Sequence, residues 1–571
     1  MRRYHEMVNF ERIVKRIFCM VYILVFDKDT LWRINSSEPS FHSLFCYNNL
    51  APMDIKKLLF CSSSLTWQDY SVLALLLLLL VCVGLYCGRE EKSTADFFLG
   101  ERRIPWWAAC LSFVATEISA VTLISVPAVA YMENWEYAQF FIGSFGARLV
   151  IAFLFIPAFY RYNCTSIYEF LGYRFGPETQ IAGSILFFIT RLLASGVRLL
   201  VACLAVSVLI GWPLAPTILL FSVVCILYIA WGGIKAVVWT NVVQALTFTI
   251  AGVAAIAFLL SRIDGGAGAV LHLAGAAGKL QVFNWGPSPG ASGWPVFLKT
   301  LFTDPNLLVL AALNGFFGSM AAFGTDQETM QRLLTVETRR ESQKTMLLTP
   351  VVSFLVMAIF LCIGACLYAF YVQHPALPAP GKLDQIFPHF IEQTMPPLLR
   401  GLMLAAIVMA SIDSPLSSLT SSFVTDIYRP VVYQEGSERH YLLISRICVV
   451  AFGVILAAIA YFFSHLEKFL WLAFKIGGVT YGSLLGVFLL GLLTKRRGNL
   501  INVAAMALSA LGMLVLLILS EKGVFPLGWT WLLLIGTFLT FATGWIFGEK
   551  EGKKDSPPRH KDTERHQDIS S

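Results

Sequence analysis

Oxygen-bearing side chains are concentrated in one apolar stretch of the sequence, residues 405–422. Asp413 and Ser417 lie four residues apart there, so on a helix they share one face. Pro415 lacks a backbone donor and can bend a helix, which would leave carbonyl oxygens without helical partners. Carboxylate, hydroxyl and carbonyl oxygens are the ligands that hard cations prefer. The stretch therefore predicts an ion site, with hydroxyls bonded back to their own helix as the alternative.

A second polar stretch surrounds Glu117, which lies among hydroxyl side chains between Ser112 and Thr122. Ionisable groups at membrane depth are costly and usually mark a transport pathway or a binding site. Glu117 is therefore a candidate functional residue. The alternative is that it is the structural partner of an arginine inside the membrane.

A third stretch contains Asn314 and three glycines, Gly315, Gly318 and Gly324. Glycine weakens a helix. Transporters made of two inverted repeats often break corresponding helices at mid-membrane and bind ions and solutes at the breaks. The stretches around Glu117 and Asn314 would be five spans apart, as two five-helix repeats require. We therefore expect a break in both, with close helix packing at the glycines as the alternative.

The elements that position these residues follow from the composition, which is 57% hydrophobic and 14% charged over 571 residues. Soluble proteins are closer to half apolar and a quarter charged. The apolar residues fall in runs of about 20, the length that crosses a bilayer as a helix. We predict an all-α polytopic membrane protein with about 13 transmembrane helices, at residues 70–88, 106–131, 137–160, 180–211, 214–232, 236–261, 301–323, 346–371, 397–425, 443–463, 469–494, 499–519 and 528–547.

The distribution of Lys and Arg predicts the orientation of these spans. They are more frequent in the loops that share a side with the C-terminus, for example near Arg102 and Arg339. The positive-inside rule then places the C-terminus in the cytoplasm and the N-terminus outside. The net charge of +7 is thus a sign of topology and not of nucleic-acid binding. No Walker lysine loop or HExxH motif is present, so we do not expect an enzyme.

The sequence divides into an N-terminal extension (residues 1–60), a transmembrane domain (61–547) and a tail (548–571). The extension is basic on the side predicted to be outside, and its apolar run is too short to span a bilayer. We therefore expect that translation starts at Met53, which mass spectrometry of the native N-terminus would test; a peptide from upstream of Met53 would contradict it. The tail is charged and poor in apolar residues, which is typical of a disordered cytoplasmic segment.

Several motifs beyond these stretches are similar to those of one family: residues 95–100, 232–240, 325–327, 331–332 and 401–422. As a set they resemble the sodium:solute symporter family, whose members include sodium/glucose, iodide, multivitamin, proline and sialic-acid symporters. The resemblance covers residues 69–547. It implies a leucine-transporter-like fold with two inverted five-helix repeats, and sodium-coupled symport of a small organic solute across the cell membrane. Proton-coupled symport or uniport by the same fold is the alternative.

The resemblance also implies a sodium site between the second and ninth spans, formed by Ala115, Ile118, Ile407, Ala410 and Ser411. The family commonly has a hydroxyl at the positions of Ala410 and Asp413, and an aspartate at the position of Asn241. Asp413 then supplies the charge that position 241 lacks. This indicates a possible second ion site of Asp413, Ser414 and Asn241.

The solute pocket that the resemblance implies lies between the second, fourth, seventh and eleventh spans. Arg198 falls near the position where sialic-acid symporters place a carboxylate-binding arginine, and a guanidinium fork suits a carboxylate. A carboxylate anion such as sialic acid, a sugar or polyol, an amino acid and a vitamin are all open alternatives. Arg198 could equally be neutralised by Glu117 or Asp413 as a structural pair. Beyond the solute and the bilayer we expect no nucleic acid and no obligate protein partner. The predicted pocket residues are Glu117, Ser119, Thr122, Arg198, Asn314, Phe474 and Lys475.

Overall fold

The computed structural model describes residues 65–88, 93–210, 212–286, 293–304, 306–377, 385–410, 415–465, 469–524 and 527–550. Three predicted ion-site residues, Ser411, Asp413 and Ser414, lie outside these ranges. So do the predicted extension 1–60 and nearly all of the tail. The side chains of Phe474 and Lys475 are likewise outside the described part, although their backbone is helical.

The first half of the described chain forms ten helices. They are α1 (Trp67–Cys87), α2 (Thr94–Leu99), α3 (Trp106–Glu117), α4 (Ala120–Met132), α5 (Phe140–Val150), α6 (Ile156–Arg161), α7 (Glu169–Arg174), α8 (Pro177–Ile210), α9 (Leu214–Ser261) and α10 (Gly266–Ala276). Short 3-10 turns lie at Gly100–Arg102 and Glu136–Gln139, and a π-helical turn, Ile151–Phe155, joins α5 to α6.

The second half forms eleven more helices. They are α11 (Trp294–Thr303), α12 (Leu308–Gly324), α13 (Gln327–Leu334), α14 (Arg339–Gln373), α15 (Ile386–Thr394), α16 (Pro397–Met409), α17 (Leu416–Ser422), α18 (Glu438–Phe463), α19 (Phe469–Leu493), α20 (Asn499–Glu521) and α21 (Trp529–Phe547). A π-helical segment, Phe423–Val432, continues α17. The two-residue strands β1 (Arg496–Arg497) and β2 (Glu549–Lys550) pair antiparallel.

Every predicted span falls on one or more of these helices. Within the described ranges, nine helices are long and apolar enough to cross a membrane, and the bent pair α3–α4 makes a tenth. The 48-residue α9 is counted once among them, although at 1.5 Å per residue its length of about 72 Å is enough for two crossings. The all-helical membrane architecture is therefore confirmed, while the number of thirteen crossings stays a prediction.

A kink at Gly233 divides α9 where the predicted fifth and sixth spans meet. Its φ of +49° lies in the left-handed region that favours glycine. A Cβ at this position would lie 2.5 Å from the carbonyl oxygen of Phe97 on α2. The kink therefore allows α2 to pack directly on the α9 backbone, where Lys235 forms an ion pair with Asp96.

The second span is broken, as predicted. Helix α3 ends at Glu117, Ile118 has an extended backbone (φ −87°, ψ 104°), and α4 begins at Ala120. The two helical pieces are bent by 59°. The chain therefore turns away at the end of α3, so that the last carbonyl groups of this helix do not face the next turn of a continuing helix.

The seventh span is not broken at its glycines, so the predicted break there is wrong, and close helix packing explains these glycines. Helix α12 runs without interruption from Leu308 to Gly324. A Cβ at Gly315 would lie 2.0 Å from the carbonyl oxygen of Phe140, and one at Gly143 on α5 would lie 1.9 Å from that of Ala312. The glycines allow α5 and α12 to touch through their backbones.

We expect Gly143→Ala to destabilise the protein by about 1–3 kcal/mol, because its methyl group has no space between the two helices. Gly512→Ala is the matched control: a Cβ there meets nothing within 4 Å, and alanine in a helix is favoured over glycine by up to about 1 kcal/mol. Thermal melting of the detergent-solubilised variants measures both. Equal melting temperatures for the two variants would contradict the packing described here.

Candidate functional site

The predicted sodium ligands lie at two helix ends. Ala115 and Ile118 are buried at the end of α3, where the second span breaks. Ile407 and Ala410 are buried at the end of α16. Helix α16 stops at Met409 and helical structure is described again from Leu416 in α17. Both parts of the predicted site are thus at places where a helix ends inside the protein.

Arg198 of α8 lies beside the end of α3 and near the start of α17. Its Nη1 donates to the carbonyl oxygen of Thr116 in the last turn of α3, at 3.4 Å. It also lines a cavity of about 30 Å³ together with Pro415, which immediately precedes α17, and with Ser222 and Glu328. A cavity of that size holds about one or two water molecules. The predicted carboxylate-binding arginine therefore lies between the break in the second span and the start of α17.

Asn241 of α9 is fully buried against the same part of α3. In the amide orientation that satisfies both of its polar atoms, the nitrogen donates to the Val237 carbonyl at 3.1 Å. The oxygen then accepts from the guanidinium of Arg332 at 3.2 Å and from the Ser112 hydroxyl at 3.2 Å. The position where the family commonly has an aspartate is thus satisfied here by an arginine and a hydroxyl.

Glu117 forms an ion pair inside the protein. Its carboxylate accepts from Nη2 of Arg148 on α5 at 2.7 Å and from the hydroxyl of Ser353 on α14 at 2.5 Å. The side chain of Arg148 is fully buried, donates to Thr349 at 2.7 Å and lies 4.2 Å from the ring centre of Phe323. This arrangement matches the alternative stated from the sequence, in which Glu117 is the partner of an intramembrane arginine.

The other described pocket residues have local roles as well. The hydroxyls of Ser119 and Thr122 form a capping box at the start of α4, so they satisfy backbone groups exposed by the break. Asn314 is buried on α12. Ser119 and Thr122 border the break in the second span, whereas Asn314 lies on the seventh span.

Sequence reasoning missed a cluster of buried charges around α13. Arg191 of α8 lies 2.6 Å from the carboxylate of Asp326 and also pairs with Glu328. The hydroxyl of Tyr481 on α19 donates to Asp326 at 3.0 Å, and Arg332 pairs with Glu328 within α13. The available signals were Arg191 in an apolar run and Asp326 in the motif 325–327. The two residues lie far apart in the sequence and meet only in the folded chain.

Helix α13 is buried along its whole length. Gln327 donates to the Thr165 carbonyl at 3.0 Å and to the hydroxyl of Ser421 on α17 at 3.2 Å. Gln331 donates to the Phe98 carbonyl on α2 at 2.8 Å. Helix α13 is therefore wedged between α2, α8, α17 and α19.

We expect Glu117→Gln to destabilise the protein by about 3–5 kcal/mol, because it leaves the buried Arg148 without its charge partner. The KM for the transported solute should stay unchanged. Glu133→Gln, at an exposed acid at the end of α4, is the control and should alter neither quantity. A raised KM with an unaltered melting temperature would place Glu117 in the solute pocket instead.

Comparisons with known proteins agree with this architecture. A model of the sodium:solute symporter family matches residues 97–508. The sodium/sialic acid symporter NanT of Aliivibrio fischeri is 31% identical over 73% of this chain and 81% of its own. The sodium/sialic acid symporter SiaT of Proteus mirabilis is 30% identical over 75% and 85%, and the sodium-dependent multivitamin transporter of Oryctolagus cuniculus is 29% identical over 76% and 67%.

Among solved structures, a Na⁺-coupled sialic acid symporter in a substrate-bound, outward-open state matches with a TM-score of 0.75. It is 25% identical and covers 85% of this chain and 100% of its own. This match confirms the predicted leucine-transporter-like fold. The chain is therefore a multi-pass membrane transporter and not an enzyme, and it belongs to the sodium:solute symporter family.

Proposed function

We propose that this protein is a sodium-coupled symporter that carries a small carboxylate solute of the sialic-acid type across the cell membrane. Family membership supports the sodium coupling, and two similar relatives are named as sodium/sialic acid symporters. The observation that carries the choice of a carboxylate is the position of Arg198, at the break in the second span and beside a cavity.

Arg198 is suited to bind a ligand because Glu328, the acid that lines the same cavity, is paired with other arginines. Glu328 pairs with Arg191 and Arg332. Nη1 of Arg198 makes a long hydrogen bond, 3.4 Å, to the backbone carbonyl of Thr116. A guanidinium that is held by one weak contact can present its planar fork to a carboxylate, and a bidentate pair gives both affinity and orientation.

The sodium site of this proposal combines the carbonyls of Ala115 and Ile118 with Ile407, Ala410 and Ser411. Two helix ends supply the oxygen ligands that a hard cation prefers, as in other transporters with broken helices. The proposed second ion site takes its negative charge from Asp413, with Ser414. Asn241 brings no negative charge of its own to this site, and its amide oxygen already accepts from the Arg332 guanidinium.

We also propose that the C-terminus lies in the cytoplasm, as the distribution of Lys and Arg predicts. The loop that contains α13 is then cytoplasmic. Because α13 is wedged into the bundle, the conformation described here is closed towards the cytoplasm. Similarity to an outward-open relative supports this assignment.

In proteoliposomes, we expect an inward sodium gradient to drive accumulation of N-acetylneuraminate more strongly than that of pyruvate or glucose. Arg198→Gln should raise the KM about 10–100-fold, because a hydrogen-bonded charge pair contributes about 1.5–3 kcal/mol. Arg439→Gln, at an exposed arginine at the start of α18, is the matched control. Accumulation of glucose with no response to Arg198→Gln would contradict the carboxylate proposal.

We expect Asp413→Asn to abolish or strongly weaken sodium-driven uptake, because it removes the proposed charge of the second ion site. The measurement is the initial uptake rate as a function of sodium concentration in wild type and variant. Uptake that ignores sodium but follows a pH gradient in the wild type would make the protein a proton-coupled symporter of the same fold.

A further inference from the structure

Asp426 is a fully buried carboxylate that has no part in the ion and solute sites proposed above. It lies on the π-helical segment Phe423–Val432. Its oxygens accept from three side chains: the hydroxyl of Ser166 at 2.7 Å, the hydroxyl of Ser184 on α8 at 2.6 Å, and the amide of Gln180 on α8 at 2.9 Å. All three donors are electrically neutral.

Among the residues that the structure describes, no cation forms an ion pair with Asp426. None of the ion pairs in the described part of the chain includes it. The buried acids Asp326 and Glu328, in contrast, each pair with an arginine. A buried carboxylate without a cation is costly in its ionised form, and such a group binds a proton instead.

A second carboxylate makes the ionised form of Asp426 less favourable still. Ser166 bridges the two acids, because its backbone N–H donates to Glu169 at 3.1 Å while its hydroxyl donates to Asp426. Burial raises the pKa of Glu169 on α7. Other ionisable or charged groups that face this region are the buried Cys164 and Tyr168, the exposed Arg429, Arg102 beside Cys164, Glu178 at the start of α8, and His440 of α18, which bonds Tyr428.

A cavity approaches this carboxylate to within one side chain. A cavity of about 340 Å³ is lined by Glu169, Gln180, Thr425 and Arg429, among others. Gln180 lines the cavity and donates to Asp426, so one side chain separates the buried acid from the cavity. In the proposed topology this cavity lies on the cytoplasmic side.

We propose that Asp426 is a proton-binding site that holds a proton while the transporter is closed towards the cytoplasm. The proton comes from cytoplasmic water through the cavity, binds one carboxylate oxygen, and returns to the same water when the site opens. No other reactant is involved. The two serines and Gln180 can each reverse or share their hydrogen bonds to accommodate a protonated carboxyl.

The site links cytoplasmic pH to the closed conformation, a consequence that rests on the proposed transport function and topology. The closed state buries Asp426 and binds its proton more tightly than a state in which water reaches the carboxylate. Acid therefore favours the closed state. That preference is lost as pH rises through the range in which the closed-state carboxyl titrates.

The direct test is infrared difference spectroscopy of the reconstituted protein across a pH series, with no solute present. We expect a protonated-carboxyl C=O band that shifts when aspartate is carbon-13 labelled and is lost in Asp426→Asn. Its proton affinity should exceed that of an exposed aspartate, pKa about 3.9, by at least about tenfold. If no carbon-13-sensitive band is present at a pH more than one unit above the pKa of an exposed aspartate, Asp426 is ionised there and the proposal is overturned.

Glu169→Gln keeps the test informative if Asp426→Asn fails to fold. It removes the neighbouring negative charge, so the titration of the aspartate band should move to lower pH. Glu435→Gln, at an exposed acid in the loop before α18, should leave it in place. A band that responds equally to both variants would contradict the assignment to Asp426. Because the readout needs no solute, either result is independent of whether the protein transports a carboxylate.

Discussion

The buried pairing of Arg191 with Asp326 and Glu328 is the interaction on which the burial of α13, and with it the proposed closed form, depends. A polar helix such as α13 can be buried in a low-dielectric interior only if its charges are compensated there. Arg191 from α8 and Arg332 within α13 balance the two acids. Hydrogen bonds from Gln331 to α2 and from Gln327 to α17 hold the same helix in place. Removing one cation would leave a buried acid uncompensated.

The charge cluster and the proposed transport site are physically continuous. Glu328 belongs to the α13 cluster and also lines the cavity of Arg198. Arg198 in turn reaches the end of α3, and Arg332 reaches Asn241 and Ser112. A solute carboxylate that draws Arg198 away from this cavity would alter the electrostatic surroundings of Glu328. Occupancy of the site and closure at α13 are therefore expected to influence each other through this one residue.

The sequence was sufficient for the features that depend on local pattern. Apolar runs located the helices, and the polar residues around Glu117 located the break in the second span. Local pattern could not distinguish glycines that break a helix from glycines that allow close helix packing. In α12 the glycines allow backbone contact with α5, and the helix stays intact. Local pattern also could not assign partners to buried charges. Glu117 with Arg148, and Arg191 with Asp326, meet only once distant helices pack together.

Alkylation of Cys164 tests most directly whether the α13 cluster holds the cytoplasmic side closed. Cys164 is fully buried, and the next residue, Thr165, accepts a hydrogen bond from Gln327 of α13. In a background that keeps only this cysteine, the rate of modification by a membrane-impermeant maleimide from the cytoplasmic side reports undocking. Arg191→Gln should increase that rate at least about tenfold, the effect of about 1.4 kcal/mol on the closed state. An unchanged rate in a correctly folded variant would contradict the account.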